Sequence, residues 1–246
     1  MNLRKCIFTN NECYITGKTI TPKGIMVHST GANNPNLKRY VQPDDGLLGK
    51  NNNANDWNRA RPDGRQVCVH GFIGKLADGS VAAYQTLPWY FRGWHAGGSA
   101  NNTHIGFEIC EDGLTNESYF RAVFKEAAEL CAFLCKKYDL TEKDIICHSE
   151  GYKLGIASNH GDVMHWFPKF GESMDSFRAT VKGILEKKED KAMDNTPNPW
   201  SKDALDWALA NGLIKGDEKG DLMLRSAVTR EQLCVILKRY HDTFGS

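Results

Sequence analysis

From Ser118 to Tyr138 the sequence reads SYFRAVFKEAAELCAFLCKKY, and its apolar residues gather on one helical face. Phe120, Val123, Phe124, Ala127, Leu130, Cys131 and Leu134 recur at threes and fours, while Arg121, Lys125, Glu126 and Glu129 are expected to face away. Such a helix must lay its stripe on something, and the short apolar runs around it supply a sheet. Strands are expected over 24–28, 67–73, 80–85, 104–110 and 145–147, with a second amphipathic helix over 174–186. Strands interspersed with helices predict an α/β fold, a mixed central sheet flanked by helices.

With 246 residues, 41% of them hydrophobic, the chain can build one larger domain and one small one. Its 31 Lys+Arg nearly cancel its 30 Asp+Glu, which argues against nucleic acid or an anionic membrane surface as a partner. No apolar run is long enough to insert in a membrane, and the start MNLRKCIFTNNECYITGKT lacks the apolar stretch of an export signal. A soluble protein made in a cytoplasm is expected. Eight cysteines are too sparse for a disulfide scaffold; Cys131 and Cys135 read as buried helix residues, and a Cys6–Cys13 bridge stays open.

Residues 31–65 are crowded with Asn, Gly, Asp and Pro, long for a loop, and point either to disorder or to a wall or lid beside a binding groove. The boundaries expected are a catalytic domain over 1–187, a linker over 188–198 and a small all-α unit over 199–246. In that unit Pro199 precedes a helix carrying Trp200, Ala204, Trp207 and Ala208, and Gly212 stands where a helix-ending glycine belongs. Thr229 and Gln232 form a capping-box pattern that opens a last helix, with Leu233, Ile236, Leu237 and Tyr240 expected inside. A unit this small would gain from docking or self-association.

The segment ICHSEG at 146–151, followed by ASNHGD at 157–162, has no helical or strand period, yet holds two histidines, a glutamate and an aspartate. His28 ends one apolar run and His148 follows another, so both are expected where strands meet loops. Two such histidines and a carboxylate in a Gly-rich loop match the donors of an open catalytic zinc site, although each histidine alone could be structural. Glu150 reads as a solvated or loop-bracing carboxylate, His70 and His104 as structural, and His241 as a surface residue.

MVHST at 26–30, NNTHIGFEIC at 101–110 and CHSEGYKLGIASNHGDVMHWFPKFG at 147–171 resemble the zinc-dependent N-acetylmuramoyl-L-alanine amidases, a family that includes bacteriophage endolysins, bacterial autolysins and peptidoglycan recognition proteins. The likeness covers residues 20–187 with the motifs in the family's order. It implies a mixed sheet flanked by helices, with Zn2+ at one end of a substrate groove held by His28, His148 and Asp162. It implies further that Glu108, in the "IGxE" strand, is the general base, and that His160 faces the scissile carbonyl. The family's usual proline after the aspartate is Val163 here. His95 in GWHAGG, Trp94 and Tyr84 are candidates to line the groove and hold sugar or peptide, with structural roles as the alternative. His165 and Trp166 are expected to pack under the metal loop.

Residues 200–217 and 227–239 resemble a single S-layer-homology repeat, whose family binds cell-wall polymers with several repeats together. The resemblances together imply a phage or prophage endolysin that waits in the host cytoplasm before acting on Gram-positive peptidoglycan. Its C-terminal unit would reach a secondary cell-wall polymer or make a homo-oligomer. Alternatives are a non-catalytic peptidoglycan-binding protein on the same fold, an autolysin, or an amidase that recycles soluble fragments.

Overall fold

The alternation of side chains along each strand decides which residues meet the helices and which are left for chemistry. A computed structural model describes residues 1–186, 195–218 and 220–245. They fall into two compact units, Met1–Glu186 and Lys187–Ser246. In the first the elements run β1 (Leu3–Lys5), α1 (Glu12–Ile15), β2 (Gly24–Asn33), β3 (Gly71–Lys75), β4 (Val81–Gln85), β5 (His104–Glu111), α2 (Glu117–Tyr138), β6 (Ile145–Cys147), α3 (His148–Lys153) and α4 (Met174–Glu186). The six strands make one sheet in the order β1-β4-β3-β5-β2-β6, with β3 and β4 antiparallel and every other pairing parallel. This is the mixed sheet flanked by helices that the sequence predicts.

Ile25, Val27, Ile73, Ile105, Phe107, Ile109 and Ile145 point to one face, where Phe120, Val123, Phe124, Leu130 and Leu134 of α2 and Phe177 and Val181 of α4 bury against them. Each such side chain contributes about 1.5–3 kcal/mol of burial free energy. Asn116 caps α2 by accepting the Tyr119 N–H at 3.0 Å. One expectation for α2 fails: Glu126 is buried, because its Oε1 accepts the backbone N–H of Asn2.

The intervening residues of the strands point to the opposite face. Phe72, Ala82 and Tyr84 are covered there by Phe8, Leu37, Tyr40, Val41 and Leu48, with Trp57 packed alongside. The 31–65 segment thus covers this face of the sheet through Leu37, Tyr40, Val41 and Leu48, while Leu47 stays 37% exposed. Tyr84 is correspondingly not in a groove: it is fully buried and its hydroxyl donates to Asp45 Oδ2 at 2.6 Å. The strand expected over 67–73 starts only at Gly71, because Cys68 bridges to Trp94 instead of joining the sheet. All eight cysteines are free, and Cys6 Sγ donates to the Gln42 carbonyl.

Most of the expected linker, and the last residue of the expected 1–187 domain, lie outside the described residues. The second unit holds α5 (Lys202–Ala210) and α6 (Arg230–Phe244). The helix-ending glycine works as read: Gly212 has φ +67°, and the N–H of Leu213 reaches back to the Ala208 carbonyl. Thr229 and Gln232 exchange both capping-box bonds. Of the interior expected for α6, Leu233, Leu237 and Tyr240 are instead 46%, 58% and 51% exposed, while Ile236 is half-buried. Among the described residues of this unit only Leu205, Ala208 and Leu213 are buried, too few to cover a second amphipathic helix. No helix among the described residues is long and apolar enough to cross a membrane.

Candidate active site

His28 and Glu108 stand opposite one another in the β2–β5 register, and Val27 pairs with Cys147, the residue before His148. Because Ile25 and Val27 go to the helix face, Met26 and His28 go to the other; the same parity puts Phe107 in the core and Glu108 beside His28. His28 does not end its strand, as the apolar run before it suggested, but lies inside β2 and is 1% exposed. His148 is the first residue of α3, and Asp162 comes from the aperiodic loop that follows.

Three atoms converge. His28 Nδ1 lies 3.0 Å from Asp162 Oδ2 and 3.1 Å from His148 Nδ1, and His148 Nδ1 lies 3.3 Å from Asp162 Oδ2. A tetrahedral zinc with bonds of about 2.0–2.1 Å places its ligand atoms about 3.3–3.4 Å apart, so the triangle fits such an ion with one corner open. Protonation states agree. Burial pushes the His28 imidazole below its usual range, a shift that the Asp162 hydrogen bond only partly opposes. Burial alone would raise Asp162, but its hydrogen bonds with His148 and His28 outweigh this and hold the carboxyl well below the carboxylate range. A neutral imidazole at His28 and an ionised carboxylate at Asp162 are what a metal requires.

An open cleft of about 380 Å³ leads to this point, lined by His28, Ser29, Trp57, Arg65, Trp94, Glu108, His148, His160 and Asp162 among others. Glu108 is pushed well up by burial and then by the nearby Asp162 and Glu111 charges. Its Oε2 is buried without a hydrogen-bond partner, as are Ser29 Oγ and Trp57 Nε1. Native proteins leave few such atoms unpaired, and three on one cleft mark a place built to receive polar groups. His160 lies exposed on the rim, its ring centroid 4.6 Å from that of His148 and its Nδ1 3.1 Å from Ser158 Oγ. The third ligand-type atom therefore comes from Asp162 and not from His160.

Trp94 is 40% exposed on the cleft wall, with the Arg92 guanidinium 4.7 Å from its ring centroid. His95 touches the cleft but both its ring nitrogens are engaged: Nδ1 lies 3.0 Å from His28 Nε2 and Nε2 lies 3.2 Å from the His104 carbonyl, while the backbone N–H goes to Asn101. Burial, then the neighbouring His28 and His70, holds its imidazole neutral. Gly106 on β5 makes room for that ring, since a Cβ there would collide with it.

Sequence reasoning missed Glu111. It is 4% exposed and its Oε1 accepts from His165 Nε2 at 2.8 Å and from the Gly31 N–H at 3.1 Å, tying the metal loop to β2. A charged residue at the end of an apolar strand was the available signal. Trp166 is fully buried beneath the loop, whereas His165 stays partly exposed. The Asp162–Val163 peptide bond is cis. Glu150 braces the structure: it accepts the Cys147 N–H at 3.0 Å and takes two 3.0 Å bonds from Arg178. His70 is buried, accepting the Gly106 N–H and donating to the Phe91 carbonyl.

Residues 18–163 match the family described as N-acetylmuramoyl-L-alanine amidase. The chain belongs to the N-acetylmuramoyl-L-alanine amidase family. Among solved structures it is similar to PlyL, at 20% identity and TM-score 0.51 over 74% of this chain and 98% of that one. It is similar also to the PlyG catalytic domain, at 19% and 0.51 over 80% and 100%. The Staphylococcus aureus hydrolase AmiA, solved with its ligand, matches at 17% and 0.51 over 75% and 83%. At these identities the structural likeness establishes an amidase fold. No curated protein matched the sequence.

Proposed function

We infer that the protein is a zinc-dependent peptidoglycan amidase that hydrolyses the bond between the lactyl group of N-acetylmuramic acid and the L-alanine of the stem peptide. The observation that carries this reading is the meeting of His28 Nδ1, His148 Nδ1 and Asp162 Oδ2 beside the unpartnered Oε2 of Glu108, at the wall of an open cleft. Zinc held by those three residues would supply a polarised amide carbonyl and an acidified water. Glu108 takes the water's proton and passes it to the departing amine. Its raised affinity for a proton suits that return step. His160, on the rim, faces the negative charge that builds on the carbonyl oxygen. Trp94 and Trp57 offer apolar faces for sugar or peptide.

The setting proposed is a phage or prophage endolysin that stays in the host cytoplasm until its release onto a Gram-positive wall. The C-terminal unit, read as an S-layer-homology-like repeat, would bind a secondary wall polymer or a second copy of the chain. The apolar face that α6 leaves uncovered supports a role in contact.

End-group analysis of purified Gram-positive peptidoglycan tests the activity. New L-alanine amino termini without new reducing sugars, abolished by a chelator and restored by zinc, are expected. Sedimentation with the wall and no new ends would mean a non-catalytic binder. Cleavage of soluble fragments but not of intact sacculi would mean a recycling enzyme.

A further inference from the structure

We propose that His95 is a positioning residue for the metal site, fixing the His28 ring so that Nδ1 and not Nε2 meets the ion. The inference rests on the zinc reading above. An imidazole can ligate through either nitrogen, and the orientation of the ring decides which of them reaches the ion. What selects one is the bond made by the other.

Here that selection is traced to the backbone. The chain of bonds ends on the His104 carbonyl, which can only accept, 3.2 Å from His95 Nε2. The His95 proton therefore sits on Nε2, and its Nδ1 is left as an acceptor. Opposite that acceptor, at 3.0 Å, is His28 Nε2, which must carry its own proton and donate it. His28 Nδ1 is then the lone pair turned towards His148 and Asp162. A carbonyl on β5 thus sets the polarity of two rings in series.

His95 is itself immobilised. Asn101, 1% exposed, accepts the backbone N–H groups of both His95 and Ala96, at 2.8 and 2.9 Å. The His95 ring fills the hollow left by the missing side chain of Gly106. The same loop reaches the other histidine ligand, because Ser158 Oγ contacts both His148 Nε2 and the Ala96 carbonyl.

Zinc affinity of the full chain, measured by competition with a chromophoric chelator, tests the assignment without recourse to turnover. His95→Leu fills similar space without an acceptor and is expected to weaken zinc binding about 10–100-fold. His95→Asn sets an amide oxygen near the Nδ1 position and is expected to bind close to wild type. A folded Leu variant with wild-type affinity overturns the proposal while leaving the metal site intact; a wild type that takes up no zinc removes both. Should His95→Leu fail to fold, 15N-histidine NMR of the zinc-loaded wild type decides: Nε2–H tautomers at His28 and His95 are required, and an Nδ1–H tautomer at His95 overturns it.

Discussion

Glu108, proposed above as the general base, holds a strand position that serves the sheet poorly. A buried carboxylate oxygen without a partner costs stability, and only a group that arrives with substrate or water satisfies it. Glu108→Gln keeps the shape and removes the base, so turnover should fall about 10²–10⁴-fold while zinc uptake stays unchanged. Assaying amide cleavage beside zinc titration checks this, and wild-type turnover would exclude Glu108 from the chemistry. His28, His148 and Asp162 were singled out through the family resemblance, since by residue type alone each histidine could equally have been structural. The placement of His95 was not legible. Nothing in GWHAGG distinguishes a ring facing a groove from one facing another ring, because that depends on the missing side chain of Gly106, a residue on a different element. Of the two readings open for Tyr84, groove or core, the structure gives the core, because the segment that covers its face is distant in sequence and carries no period.

Among the elements, α3 has the task of presenting His148 from its first turn, and at six residues it cannot hold itself in place. Glu150 does so by capping Cys147 and gripping Arg178 of α4 in a two-bond pair, which also brings Arg178 Nη1 to the Ile145 carbonyl at 3.0 Å. Arg178→Met should lower stability by about 1–3 kcal/mol and weaken zinc binding, read from urea unfolding and chelator competition. Unchanged values would class the pair with the many surface ion pairs that contribute nothing measurable. The long periodic elements, α2 and α4, were visible in the sequence to within a residue. β1 was not, because Leu3–Lys5 is too short to show alternation and is a strand only through its pairing with β4. The interior expected for α6 failed because periodicity marks an apolar face without naming what covers it.

For the molecule as a whole, acid should loosen the metal-free state. Burial lowers His70 from its ordinary 6.5 to about 4, and His28 and His95 move in the same direction. Between these values the unfolded chain binds protons that the folded chain refuses, so stability rises with pH across the window. At about pH 5 the loss from His70 alone is about 2 kcal/mol. Glu108, displaced upwards, works in the opposite sense, so the comparison is best made in Glu108→Gln. Urea midpoints should be lower at about pH 5 than at about pH 7.5; equal midpoints would mean that these rings are charged in the folded state. The three converging atoms also have a bearing on how the protein is made. His28 and Asp162 are separated by 134 positions, and His148 by 120 from His28. A ribosome that has delivered half of the chain has released one ligand of three and no counterpart for it. Synthesis runs from the N-terminus and parallel strands pair late, so the three atoms cannot converge until the chain has been made past Asp162. A product truncated before Asp162 would lack at least one of the three converging residues, whereas one that ends beyond Glu186 would keep the whole first unit.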